Sequence, residues 1–167
     1  MKNLFKEMVK QIEQGNDMVL VSVVASSGST PRGTGAKMLI TKAGRVIGTV
    51  GGGAVEYHSE QIAAEALTEK KSKTKFFRLK PNEVADIGMI CGGDVLIWFQ
   101  YLSADDSREL EILNAIMKMQ KEREQSWLFT EITPDCQTGL IAYSQSKGLL
   151  GFDGSTEEAA QLTANLS

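Results

Sequence analysis

Residues 37–70, KMLITKAGRVIGTVGGGAVEYHSEQIAAEALTEK, decide the fold class. The apolar runs 37–41 and 45–50 flank a turn at Gly44, and this arrangement predicts a β-hairpin. After three consecutive glycines, residues 54–70 carry apolar side chains on one helical face and glutamates on the other, which predicts an amphipathic helix. A hairpin followed directly by a helix favours an α+β fold over a regular alternation of parallel strands and helices.

The segments on either side of this stretch extend the same mixture of strands and helices. Upstream, apolar residues at helical spacing predict a helix over 3–13, and the β-branched run 18–25 predicts a buried strand. Downstream we expect two helices. One begins at an N-cap at 105–106 with Glu109 as the reciprocal carboxylate, and the other is a weak helix over 156–165. We also expect strands at 74–79, 94–102, 126–133, 138–143 and 149–152. The expected fold is α+β, with a mixed or largely antiparallel sheet and helices packed on it, forming a single compact domain over 1–167.

Composition excludes several classes of protein. A chain of 167 residues with 42% hydrophobic residues can bury one core without disulfide or metal staples. A net charge of −3 provides no general attraction for nucleic acid, and the basic run 70–80 is interpreted as a solvated face or a docking surface for an acidic partner. The N-terminus lacks the apolar segment of a signal peptide, and no apolar run approaches the ~20 residues that span a bilayer. We therefore expect a cytoplasmic protein that binds neither nucleic acid nor membrane.

The glycines are concentrated in three loops, at 26–35, 51–53 and 88–94. In the first loop, Arg32 could clamp a phosphate among several hydroxyl side chains, although a solvated loop is the simpler interpretation. The second is a glycine turn before a helix N-terminus, which suits an anion but matches neither the dinucleotide motif nor the P-loop. If the strands before these two loops are neighbours, both loops open on one edge of the sheet.

The third loop places Cys91 between glycines at the start of a strand. Uncrowded sulfur suits a nucleophile or a soft-metal ligand, whereas most single cysteines are buried and inert. Cys136 is interpreted as incidental, and two isolated cysteines with one histidine do not form a zinc motif. Glu56 either interacts favourably with its helix end or accepts hydrogen bonds from a heterocycle. His58, on the apolar face, is interpreted as a packed histidine rather than a catalytic one.

Three segments in the order SSGSTPRGTGAKMLI, GTVGGGAVE and GMICGGDVLIWF resemble the XdhC/CoxI family of molybdenum-enzyme accessory proteins. The resemblance covers roughly residues 4–102. It implies a protein that binds molybdenum cofactor (molybdopterin) as cargo and helps to insert the matured, sulfurated form into an apo-enzyme of the xanthine dehydrogenase class. Such a protein acts as a chaperone, and no catalytic residue is implied.

The resemblance also implies a set of contact residues and partners. The cofactor-binding residues would be Ser29, Thr30, Arg32, Gly51, Gly52, Gly53, Glu56, Cys91, Gly92 and Gly93, with Cys91 nearest the metal. The expected partner is a xanthine dehydrogenase-type apo-molybdoenzyme. A cysteine desulfurase and a second copy of the chain are further candidates.

The sequence departs from the family after residue 103, where no strand is followed by the dinucleotide motif of the family's usual C-terminal Rossmann domain. The chain is therefore expected to correspond to the first domain alone. Two other functions stay open. One is an enzyme in which Cys91 transfers sulfur or acyl groups beside an anion pocket. The other is a protein-interaction module that binds no small ligand.

Overall fold

Two antiparallel sheets and four helices form the part of the chain that the computed structural model describes, residues 2–28, 30, 32–79, 93–132 and 138–166. The elements in chain order are α1 (Lys2–Glu13), β1 (Met18–Gly28), β2 (Lys37–Thr41), β3 (Gly44–Gly48), α2 (Gly53–Glu69), β4 (Lys73–Leu79), β5 (Gly93–Leu102), α3 (Ser107–Lys121), β6 (Ser126–Ile132), β7 (Thr138–Ser144), β8 (Gly148–Leu150) and α4 (Thr156–Thr163). The predicted α+β class is confirmed.

The larger sheet has the strand order β3-β2-β1-β5-β4, and each neighbouring pair is antiparallel. Strands β1 and β3 are therefore not neighbours, since β2 lies between them. Because every neighbouring pair is antiparallel, β1, β3 and β4 run in the same direction and end at one edge of the sheet. Strands β2 and β5 run in the opposite direction and begin at that edge. We call this edge the glycine edge, because the strand that precedes each of the three glycine-rich connections ends there.

Alternating side chains of the five-stranded sheet build two apolar clusters, one on each face. On one face α2 covers Val19, Val21 and neighbouring strand residues, with Ala63 and Ala66 turned inward. On the other face α1, α3 and the small sheet β6-β7-β8 cover Met18, Leu20, Leu39 and Leu102. Burial on both faces explains why the first six residues of β1 are all buried.

The capping boxes of two helices differ from expectation: the predicted box of α3 is incomplete, and α4 has a complete one. Asp106 caps α3, as expected, by accepting a hydrogen bond from the Arg108 N–H at 3.0 Å. Glu109 does not complete a capping box. It is 5% exposed and instead accepts a hydrogen bond from the Leu140 N–H at 3.3 Å. The helix predicted as weak, α4, has the complete box, formed by Ser155 and Glu158.

Acidic neighbours neutralise much of the basic run. Lys73 lies 2.8 Å from Glu69 and 3.4 Å from Glu65, and Lys70 pairs with Asp17 at 3.7 Å. Arg78 also lies 3.7 Å from a carboxylate, that of Asp94. Among the described residues, no helix is both long and apolar enough to span a bilayer.

Candidate functional site at the glycine edge

The topology brings the predicted site segments to one edge of the five-stranded sheet. Thr30 and Arg32 lie in the connection from β1 to β2. Gly51 and Gly52 lie between β3 and α2, and Gly53 is the first residue of α2. Gly93 begins β5 and pairs with Gly28, the last residue of β1. Ser29, Cys91, Gly92 and Cys136 lie outside the described residues. The predicted contacts of Cys91, including its contact with the metal, therefore stay predictions.

The chain approaches the glycine turn through backbone conformations that favour glycine. Gly48 has a φ of +88°, and a Cβ there would lie 2.2 Å from the Lys37 carbonyl oxygen. Gly52 has a φ of +79°, yet a Cβ there would meet no atom within 4 Å. Gly48 is thus required by both backbone conformation and close packing, whereas the space beside Gly52 is open.

The Glu56 carboxylate holds the glycine turn in place. It accepts hydrogen bonds from the Arg45 guanidinium and the Thr49 hydroxyl. It also accepts from two backbone N–H groups, those of Val50 at 3.3 Å and Gly52 at 3.2 Å. Burial opposes ionisation of Glu56, but these hydrogen bonds and the Arg45 charge outweigh it and lower the pKa of the carboxyl. Glu56 therefore acts as an internal anion that orders the turn.

This arrangement changes which donors of the turn a ligand could use. The N–H groups of Val50 and Gly52 are bonded to Glu56, and that of Gly51 donates to the Thr49 hydroxyl at 3.1 Å. Gly52, the N-cap residue of α2, provides no side-chain cap. An anion bound at the glycine turn could therefore use only the N–H groups of the first turn of α2.

Two exposed aromatic side chains, which no sequence pattern indicated as a site, follow the turn. Tyr57 is 60% exposed, and its ring lies edge-to-face with that of His58, with centroids 5.5 Å apart. The prediction that His58 is packed was wrong, because α2 turns Val55 and Ser59 inward and leaves His58 in solvent. The helical spacing of Val55, Ala63 and Ala66 could have indicated this, since Tyr57 lies on the opposite side of α2 from that face and His58 at its margin.

A groove of about 1310 Å³ lies at the opposite edge of the sheet from the glycine loops. Its lining includes Asp17, Thr41, Gly44 and Asp105, at the ends or in the connections of β1, β2, β3 and β5 that point away from the glycine edge. Several of its charged groups pair within the protein, for example Lys10 with Glu7 at 3.2 Å. The groove is therefore separate from the predicted cofactor site.

Comparison with known proteins bears on the motifs at the glycine edge. The model of the XdhC and CoxI family matches residues 11–78. The uncharacterized protein YqeB of Escherichia coli (strain K12) is 35% identical over 96 residues, which are 58% of this chain and 18% of YqeB. The crystal structure of a protein described as a xanthine dehydrogenase from Bacillus halodurans has a TM-score of 0.70 and 16% identity.

The solved structure matches 90% of this chain and 45% of its own chain, and at that identity it shows a shared fold alone. This chain therefore spans less than a fifth of the curated relative and less than half of the solved one. The family model covers the first two glycine motifs and ends before the third. The resemblance found in the glycine motifs is thus confirmed over residues 11–78, the part of the chain that the XdhC and CoxI family model matches.

Proposed function

We propose that this chain is an accessory domain for xanthine dehydrogenase-type molybdoenzymes. In this role it binds molybdenum cofactor as cargo and helps to insert the sulfurated form into the apo-enzyme. The observation that carries the proposal is that the strands preceding the three glycine-rich connections all end at one edge of the five-stranded sheet. The match of residues 11–78 to the XdhC and CoxI family model supports the accessory role. The B. halodurans protein of similar fold, described as a xanthine dehydrogenase, is consistent with it.

The chemistry of the edge fits the three parts of the cofactor, which are a phosphate, a pterin and a dithiolene-bound metal. Arg32 is exposed and can form bidentate hydrogen bonds with phosphate, assisted by the first turn of α2. The exposed ring of Tyr57 offers a face on which a pterin could stack. Cys91 would supply a soft ligand from the third loop, which leaves the sheet after Leu79 and returns at Gly93.

In this proposal Glu56 is not the cofactor contact that the resemblance implies. Its oxygens are engaged by four donors of the protein, so we assign it to positioning the glycine turn. Its negative charge also weakens the attraction of the turn for phosphate, which makes Arg32 the main phosphate contact at this edge.

Anaerobic titration of the purified protein with molybdenum cofactor tests the site. We expect Arg32→Ala and Cys91→Ala each to weaken binding about tenfold or more. The first variant removes the charged donor to the phosphate, and the second removes the soft ligand of the metal. Lys42→Ala is the matched control, since Lys42 is exposed in the turn between β2 and β3, at the edge away from the glycine loops. Undiminished binding in both site variants would refute the site.

A second experiment tests the function as a whole. The protein is purified anaerobically from cells that make the cofactor, and its molybdenum and pterin contents are measured. It is then incubated with apo-xanthine dehydrogenase, and the recovery of activity is followed. We expect co-purified cofactor and faster activation of the apo-enzyme. If saturating cofactor does not bind at all, the chain is instead an interaction module without a small ligand.

A further inference from the structure

A row of polar side chains crosses the five-stranded sheet on the face that α1, α3 and the small sheet cover. Ser22 of β1 pairs with Lys37 of β2 on one side and with Trp98 of β5 on the other. Gln100 lies two residues beyond Trp98, so its side chain is on the same face. We call these four residues the donor row, because three of them end in N–H groups.

Two donors of the row are buried without an acceptor. Trp98 is 1% exposed, and its indole Nε1–H has no partner among the described residues. Gln100 is also 1% exposed, and its amide Nε2 is unpartnered as well. The amide oxygen of Gln100 faces the Thr130 hydroxyl at 3.5 Å, which leaves its N–H groups directed elsewhere. Buried donors without acceptors are rare in folded proteins, and each one requires an explanation.

Lys37 adds a positive charge to the row without a counter-charge. Its Nζ donates to the Ser22 hydroxyl at 2.9 Å, and Ser22 is itself 5% exposed. No carboxylate of the described residues forms an ion pair with Lys37, unlike Lys73 and Arg45 of the same sheet. Burial lowers the pKa of the Lys37 ammonium. A half-buried cation beside two unpartnered donors is an environment that an anion would stabilise.

We propose that the donor row is a binding site for a small oxyanion of the phosphate class. A phosphate has several acceptor oxygens and, as the dianion, no donors, so it matches a row of N–H groups that lacks acceptors. Lys37 is the most exposed member of the row and begins β2 at the glycine edge. Lys37 is therefore the member of the row that an anion from solvent meets first. This proposal does not depend on the cofactor site.

The intrinsic fluorescence of Trp98 gives a direct test. The chain has two tryptophans, so a Trp127→Phe variant reports Trp98 alone. This variant is titrated with inorganic phosphate, and sodium chloride of equal ionic strength serves as the blank. We expect a saturable change in Trp98 emission that Lys37→Met weakens about tenfold or more. Lys42→Met, a change of the same type in the β2–β3 turn, is expected to leave the titration unchanged.

Phenyl phosphate in place of inorganic phosphate distinguishes the source of the anion. Tighter binding of the ester assigns the site to a phosphomonoester of a larger molecule, and equal binding assigns it to free phosphate. The proposal is overturned if emission does not saturate, if chloride gives the same change, or if both lysine variants lose the response equally. Thermal unfolding of each variant verifies that it is folded, so that loss of binding is not loss of structure.

Discussion

At the scale of single residues, Glu56 determines how the candidate site is organised. Four donors converge on one carboxylate, and they come from β3, from the glycine turn and from the residues between them. The sequence predicts either that Glu56 interacts with its helix end or that it contacts a ligand, and the resemblance favours the ligand. Its partners Arg45 and Thr49 carried no local signal, because their contact with Glu56 depends on how the hairpin packs against α2.

We expect Glu56→Gln to destabilise the protein by about 1–2 kcal/mol at neutral pH, since it removes hydrogen bonds to a charged acceptor. The pKa of Glu56 is lowered in the fold, so its contribution is present above the unfolded value and is lost as pH falls through the folded value. Urea unfolding at several pH values should therefore show the variant approaching wild type in acid. Glu60→Gln, which removes a more exposed partner of Arg45 at 3.5 Å, should cost much less.

Gly48 gives a second prediction at this scale. Gly48→Ala places a methyl group against the Lys37 carbonyl oxygen and also forces an L-residue to a φ of +88°, so we expect a loss of about 2 kcal/mol or more. Gly44→Ala is the matched control, with a φ of +107° but nothing within 4 Å of its Cβ, and it should cost about 1 kcal/mol. Equal losses in thermal or urea unfolding would show that the close approach at Gly48 does not matter.

At the scale of elements, the contact of α3 with β7 includes a buried carboxyl group, that of Glu109. Burial and then the charge of Asp106 raise the pKa of Glu109 to about 7, against the hydrogen bond from the Leu140 N–H, which lowers it. Its Oε2 atom has no partner among the described residues. Glu109 therefore joins the helix to the small sheet as a largely protonated group below neutral pH.

Stability should consequently fall as pH rises from about 4.5 through 7, because the unfolded state ionises first. The difference between 4.5 and about 7 corresponds to about 3 kcal/mol at most. We expect Glu109→Gln to remove this pH dependence. The free energy of unfolding of the variant, relative to that of the wild type, should therefore be higher at pH 8 than at pH 5. Urea unfolding at both pH values measures it, with the exposed Glu111→Gln as control. A variant that keeps the wild-type pH dependence would contradict the assignment.

At the scale of the whole molecule, the second half of the chain covers one face of the sheet built by the first half. Leu113 and Ile116 of α3 and Leu140 of β7 belong to the same buried cluster as Leu20 and Leu39. The part that most resembles the family, residues 4–102, therefore leaves a large apolar surface uncovered when it stands alone.

A chain ending at residue 104 should fail to unfold cooperatively and should aggregate, since that surface is then exposed to water. A chain ending at residue 155 is the control, because it removes α4, which contains no buried residue. We expect the control to keep cooperative thermal unfolding by circular dichroism. Cooperative unfolding of the shorter chain would show that the first five strands form an independent domain.

The sequence by itself determined the kinds of element, their order and most of their limits, because hydrophobic periodicity and turn residues act over a few neighbouring positions. It also indicated that the glycine loops belong together, through their resemblance to one family. Only the tertiary structure decided that β2 lies between β1 and β3, that Glu56 holds the glycine turn, and that Trp98 and Gln100 are buried without acceptors. These features arise from strand pairing and layer packing between distant residues, and no local pattern encodes such contacts.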